Sequence, residues 1–160
     1  MSAILGGMAA RTSLLYDIFV LYQAVGTMLE RALADTELGP EGYAIYSHIF
    51  EHEGCTPSEM SRDLNMPIQT VSDWVAQLRK RGHLVSMTND RDRRSYRIAL
   101  TGEGKAVHRH ANEYFERVNR LFLKRLDRSE REMRGYVQEM IKAAEQAAIS
   151  TERRRLQQTG

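Results

Sequence analysis

The stretch TPSEMSRDLNMPIQTVSDWVAQLRKRGHLV, residues 56–85, decides how this chain is read. Thr56-Pro57-Ser58-Glu59 is a capping box, with Thr56 as the cap, Pro57 in the first turn and Glu59 reaching back to the cap. The spacing predicts a short helix with Met60 and Leu64 turned inward, broken at Asn65-Met66-Pro67. A second helix is predicted from Ile68 to Arg81, where Val71, Trp74, Val75 and Leu78 recur at helical spacing and Gly82 stops it. Two short helices joined by a three-residue turn form a helix-turn-helix.

After Gly82 the period changes. Leu84-Val85-Ser86-Met87 is a short β-type run, and Tyr96, Ile98 and Leu100 alternate with Ser95, Arg97 and Ala99 as in a half-buried strand. Residues 88–94 between them are polar and turn-forming, which predicts a hairpin with a long charged tip. Upstream, Gly39-Pro40 opens a helix with Tyr43, Tyr46, Ile49 and Phe50 on its buried side and Gly54 suited to its C-terminal cap. Residues 40–101 thus read as a winged helix.

Both flanks are helical. Over residues 12–35, Leu14, Ile18, Leu21, Val25, Met28 and Ala32 fall on one helical face. Beyond Thr101, Val107, Ala111, Tyr114, Val118 and Leu121 step at heptad-like spacing until the charged Arg125. Ser129-Glu130-Arg131-Glu132 is a second capping box, followed by Met133, Tyr136, Met140, Ala144 and Ala147. Residues 149–160, with Arg153-Arg154-Arg155, are expected to fray. These outer helices carry more apolar surface than one small winged helix covers. The expectation is a homodimer in which 12–35 and 102–148 are the dimerisation helices. The fold class is mainly α with a small β-hairpin wing, a single unit over residues 1–160.

Composition limits the alternatives. The chain has 160 residues, 42% hydrophobic and 28% charged, with one cysteine, so a disulfide framework and a cysteine zinc cage are excluded. No apolar run reaches about 18 residues, so no membrane span is expected. The apolar Ala3–Ala10 has no basic residue before it, so no secretory signal is expected and the cytoplasm is the expected compartment. The net charge of +2 is unevenly placed. Residues 1–56 hold two Arg against seven acids, −5; residues 57–101 hold eight basic against five acidic, +3; residues 102–160 hold thirteen against nine, +4. A chain so divided can present an anion-binding face without a high overall charge.

The second helix of the motif has its polar side opposite the core stripe. Gln69, Asp73 and Lys80 lie there with Ala76, flanked by Ser72 and Gln77, with Thr70 nearer the N-terminal edge. Such side chains suit base edges: Gln69 can read adenine, and Asp73 can accept from cytosine N4. The hairpin holds Arg91, Arg93, Arg94 and Arg97, with Asp90 and Asp92 alternating. Arginine at a hairpin tip suits a narrow minor groove, and the acids can hold the guanidinium groups in place.

The run Asn89-Asp90-Arg91-Asp92-Arg93-Arg94-Ser95-Tyr96-Arg97-Ile98-Ala99-Leu100-Thr101 resembles the wing of the MarR family of bacterial transcription regulators. That wing commonly reads Asp-Pro-Arg-Asp-Arg-Arg, then a strand ending Leu-Thr and a helix. Residues 58–85, including Leu78-Arg79-Lys80-Arg81-Gly82-His83-Leu84-Val85, and the order of the outer helices resemble the family too. The resemblance covers residues 12–148. It implies a homodimer that binds near-palindromic double-stranded DNA and represses, released by a ligand or an oxidant. It assigns Arg91 to the minor groove, and Asp92, Arg93 and Arg94 to wing support and phosphate contact. Two residues depart from the pattern. Asn89 stands where an Asp usually braces the wing arginine, leaving Asp90 or Asp92 to do so. Asp73 stands where a basic or neutral residue is usual, and a carboxylate facing DNA is repelled by phosphate unless it meets a donor base edge, which counts against a guanine contact carried over to that position.

Other features compete with this reading. His48 and His52 have the i, i+4 spacing of a zinc pair, near Glu51, Glu53 and Cys55, but four clear ligands are lacking. Cys55 beside a helix N-terminus is a candidate redox thiol, opposed by Glu53 and Glu59. Trp74, Tyr22, Tyr43, Tyr46 and Tyr114 are candidates either for core packing or for lining a pocket for a small aromatic or phenolic ligand. No cofactor is implied, and no nucleophile–base pair or phosphate-binding glycine loop points to an enzyme. The expected function is a sequence-specific DNA-binding repressor. The alternatives are a winged-helix dimer acting through protein contacts and a redox- or metal-responsive regulator.

Overall fold

The computed structural model describes residues 13–88 and 96–158. In chain order the elements are α1 (Leu14–Ala32), α2 (Pro40–Glu51), α3 (Pro57–Asp63), α4 (Ile68–Lys80), β1 (Leu84–Thr88), β2 (Tyr96–Leu100), α5 (Gly102–Leu123) and α6 (Glu130–Gln158). A mostly helical chain with one antiparallel hairpin matches the winged-helix class read from the sequence. It divides into two compact units, one ending at Val118 and one beginning at Asn119.

In the first unit, α1 is capped by Ser13, whose hydroxyl accepts from the Tyr16 N–H, yet none of its residues is buried. The core gathers around α2, where Ile45, Tyr46 and Ile49 are fully enclosed with Met60, Val71, Val75, Leu78 and Ile98. Phe50, expected on the buried side, is 42% exposed. Gly54 does not cap α2, which ends at His52. Its φ of +85° instead turns the chain beside β2, where the Gly54 N–H donates to the Ile98 carbonyl and the Ile98 N–H to the Cys55 carbonyl, both at 2.9 Å.

The capping box of α3 is formed, with the Thr56 N–H on Glu59 Oε2 at 2.7 Å and the Glu59 N–H on Thr56 Oγ1 at 3.2 Å. At the following turn Asn65 takes φ +51°, a left-handed conformation that asparagine tolerates better than most side chains. Ser61 closes the turn by donating from Oγ to the Met66 carbonyl at 2.7 Å and accepting the Met66 N–H at 2.9 Å. The arrangement delivers Pro67 as the cap of α4.

Gly82, at φ +72°, reverses the chain into the hairpin, whose register pairs Leu84 with Leu100, Ser86 with Ile98 and Thr88 with Tyr96. The expected alternation of β2 does not hold at its end: Ile98, Ala99 and Leu100 are all buried. β2 is flanked on both edges, by β1 and by the Cys55 bridge. The start of α5 closes on the same turn. The Thr101 N–H donates to the His83 carbonyl at 3.0 Å, and a Cβ on the buried Gly104 would meet that oxygen at 2.3 Å.

In the second unit, Ser129 and Glu132 bond reciprocally as the second capping box requires. The fraying expected from residue 149 onward is corrected, because α6 runs to Gln158. No glycine or proline interrupts it after Gly135. Ser150 and Thr151 donate back to the Gln146 and Ala147 carbonyls at 2.8 and 2.9 Å, so both stay in helical register. Among the described residues no helix is long and apolar enough to cross a membrane.

Candidate nucleic-acid interface

Burial of Val71, Val75 and Leu78 fixes which face of α4 is left outside. Trp74 pins it further: its Nε1 donates to Glu41 Oε1 at 2.5 Å, and its ring lies against Gly42, where a Cβ would sit 2.9 Å away. Gln69, Ser72, Asp73, Gln77 and Lys80 are all exposed on the remaining face, with Thr70 half-buried at its edge. The predicted recognition residues are therefore together on one solvent-facing surface.

Three of them are already engaged. Gln69 Nε2 donates to Asp73 Oδ1 at 3.0 Å, one helical turn away. The bond orients the amide, leaving its carbonyl and second N–H free, and occupies one oxygen of the carboxylate. Ser72 Oγ donates to the Ile68 carbonyl at 2.8 Å, so this hydroxyl faces outward only as an acceptor.

Arg91, Arg93 and Arg94, with Asp90 and Asp92, lie outside the described residues. Arg97 is inside them and turns toward the loop before α3. Its Nη1 donates to the Gly54 carbonyl at 2.6 Å, tying β2 to the loop before α3. Arg79, which the sequence did not mark, reaches from α4 to the hairpin. Its Nε and Nη2 donate to Ser86 Oγ at 3.1 and 2.7 Å, and its Cζ lies 4.5 Å from the Tyr96 ring centroid. The one sequence signal was its place directly after the core residue Leu78, at the margin of the buried stripe.

The competing features are placed as follows. The His48 and His52 rings stack at 4.4 Å, and His48 Nε2 lies 3.7 Å from Asp63 Oδ2. Burial, then neighbouring His52, lowers the His48 pKa, while Asp63 opposes the shift. Among the described residues no three His, Cys, Asp or Glu side chains converge as metal ligands. Cys55 is buried, and burial, with Glu59 adding to it, pushes its thiol up to about 11. That is the opposite of an activated thiol.

Tyr43 and Tyr46 are core residues: Tyr43 Oη donates to Asn112 Oδ1, and Tyr46 Oη bonds His83 Nδ1, each at 2.7 Å. Trp74 is half-buried against the core, and Tyr22 is 71% exposed. An open cleft of about 300 Å³ lies beside Cys55, but its walls are charged, with Glu59, Arg62, Asp63 and Arg97 among them.

No protein-family model matches the sequence, and no curated protein does. Solved structures do match the fold. The MOSR transcriptional regulator of M. tuberculosis, in complex with DNA, superposes with a TM-score of 0.72 at 20% identity, over 85% of this chain and 98% of that one. The PcaV transcriptional regulator of Streptomyces coelicolor, with its natural ligand, gives 0.68 at 23% identity, over 85% and 94%. A MarR transcriptional regulator of Methanosarcina mazei Go1 gives 0.66 at 18% identity, over 82% and 96%. A capped helix-turn-helix, an outward polar face on its second helix and a hairpin after it, with helices on both flanks, make up the winged-helix fold of the MarR-type transcriptional regulators.

Proposed function

We propose that this chain is a sequence-specific DNA-binding transcription regulator. In this reading it acts as a homodimeric repressor, released from a near-palindromic operator by a small aromatic or phenolic molecule. The α4 face carries the proposal: Gln69, Ser72, Asp73, Gln77 and Lys80 stand exposed on a helix whose other side is locked into the core. A helix so presented fits the major groove, and polar side chains along it suit base edges. Arg91 enters the adjacent minor groove, with Arg93 and Arg94 on phosphates and Asp90 and Asp92 as supports. The DNA complex of MOSR supports the nucleic-acid partner, and the ligand complex of PcaV supports small-molecule control.

Dimerisation is supported by the apolar surface left open on the single chain. Leu14, Leu15, Phe19, Leu21 and Tyr22 of α1 are exposed, as are Tyr136, Val137, Ile141, Ile149 and Leu156 of α6. Water-exposed apolar side chains at this density mark an association surface. A two-fold dimer reads two half-sites about 10 bp apart, centre to centre.

The test is fluorescence anisotropy on the DNA upstream of the gene against a scrambled duplex, over a salt series. The expected result is tight binding to the upstream DNA and a steep salt dependence. Equal, weak binding to both duplexes by a folded dimer favours the other reading, a winged-helix dimer working through protein contacts. Asp73, a carboxylate on the outer face, is the observation on that side.

A further inference from the structure

We propose that Arg79 is a positioning residue that sets the angle between α4 and the β1–β2 hairpin, and so the spacing at which helix and wing meet DNA. The inference rests on the DNA-binding reading above. Arg79 stands in the last turn of α4 and holds both strands of the hairpin with one planar group. Its two N–H groups converge on Ser86 Oγ of β1, and its face covers the Tyr96 ring at the start of β2. Ser86 pairs with Ile98, and Tyr96 with Thr88, so these side chains share the hairpin face whose inner part is the buried Ile98 and the Leu84–Leu100 pair.

Apart from the Arg97–Gly54 bond on β2, the hairpin is otherwise anchored at its inner end. There, the turn through Gly82 and His83 joins it to α4, and the Cys55–Ile98 bridge joins β2 to the loop before α3. Further out, Val85, Ser86, Met87 and Thr88 are exposed. Arg79 ties this outer part back to α4. A guanidinium suits the task, because its fork and its flat face fix a direction that a lysine ammonium does not. Residues 89–95 join these two strands in sequence, and Gln69 and Asp73 stand on the helix to which Arg79 ties the strands.

The experiment compares wild type, Arg79→Ala, Arg79→Lys, Tyr96→Phe and Tyr96→Leu on a duplex that the wild-type protein selects from a random-sequence library. Affinity, salt slope, hydroxyl-radical footprint and thermal midpoint are read for each. Arg79→Ala is expected to bind about tenfold more weakly, since a cation–π contact and a charged hydrogen bond each contribute a several-fold factor. It should lose protection at the flanking minor groove while keeping that at the major groove, should keep its salt slope, and should melt only a few degrees below wild type. Arg79→Lys should recover only part of the affinity. Tyr96→Phe keeps the ring face and should match wild type, whereas Tyr96→Leu should reproduce the Arg79→Ala footprint.

Wild-type affinity and footprint in a folded Arg79→Ala variant overturn the inference. So does a salt slope reduced by roughly one phosphate contact in Arg79→Ala with Tyr96→Leu unaffected, which makes Arg79 a direct phosphate ligand. Failure of the wild type to select any duplex overturns the DNA-binding reading itself and this inference with it.

Discussion

Replacing Gly104 by alanine tests how the hairpin turn is seated on α5, and the structure sets the size of the effect. An alanine Cβ would lie 2.3 Å from the His83 carbonyl oxygen, 3.1 Å from its carbon and 3.2 Å from its Cβ. Ordinary C···O contacts begin near about 3.3 Å, so one backbone must move by about 1 Å. The oxygen cannot rotate aside, because it accepts the Thr101 N–H at 3.0 Å. Nor is the residue free to slide, since Tyr46 Oη holds His83 Nδ1 at 2.7 Å inside the core. Overpacking costs about 1–3 kcal/mol, and weakening the buried hydrogen bond about 1 kcal/mol more. Alanine returns about 1 kcal/mol through helix propensity. The net loss is about 1–3 kcal/mol, which lowers the melting temperature by about 2–12 °C in a chain of this size. Gly102→Ala is the control: it sits at the start of the same helix with nothing within 4 Å of its Cβ. It should be neutral or stabilising by up to about 1 kcal/mol. Thermal unfolding followed by circular dichroism decides the matter, and a Gly104→Ala variant that melts at or above wild type refutes the reasoning.

Further outcomes follow from the same contacts. His48 and His108 have lowered pKa values, burial being the main cause in each, so the unfolded chain takes up protons on acidification that the native chain resists. That stability is present above the ordinary imidazole value of about 6.5 and is lost as pH falls through the lowered native values. The melting temperature should therefore drop between about pH 7.5 and pH 5.5, less so in a His48→Gln, His108→Gln variant, and a flat wild-type profile contradicts this. With its thiol pushed up to about 11, Cys55 should react with Ellman's reagent far more slowly in the native than in the denatured protein; prompt native labelling would sink the buried assignment. Gln69→Ala should change the preferred bases while leaving the salt slope intact, because a neutral amide releases no counterion, and a changed slope with unchanged preference tells against base contact. Wild type should sediment as a dimer at micromolar concentration and Leu121→Asp, Met140→Asp should not, since a buried unpaired carboxylate is costly; a monomeric wild type refutes the dimer.

What could be read from the sequence was whatever depends on near neighbours. The capping boxes at Thr56 and Ser129 pair residues three apart, and both formed. The stripe of Val71, Val75 and Leu78 fixes the outward face of α4 by helical period alone, so Gln69, Asp73, Gln77 and Lys80 could be placed on it before any fold was known. The expected fraying from residue 149 onward does not occur, because the residues there favour helix. Ala, Glu, Arg and Gln there are helix formers, and Ser150 and Thr151 bond to their own helix.

Distant pairings left no local trace. Cys55 reads as a loop thiol beside a helix N-terminus, and only the bridge to Ile98, forty-three residues later, encloses it. Arg97 reads as one more wing arginine until Gly54 supplies its acceptor. Arg79 reads as part of a basic run with Lys80 and Arg81, and its neighbours point one way only once Ser86 and Tyr96 are brought beside it. The residues that form a helix or a strand and the residues that set the angles between them are thus different populations. The first are repeated at a period and tolerate exchange within a chemical class. The second are single side chains whose partners are fixed by register: a one-residue slip of the hairpin would turn Ser86 and Tyr96 to the opposite face and leave Arg79 without either. On the proposed DNA-binding function, base preference belongs to the outward face of α4, and the groove spacing that a whole operator must match belongs to this second population.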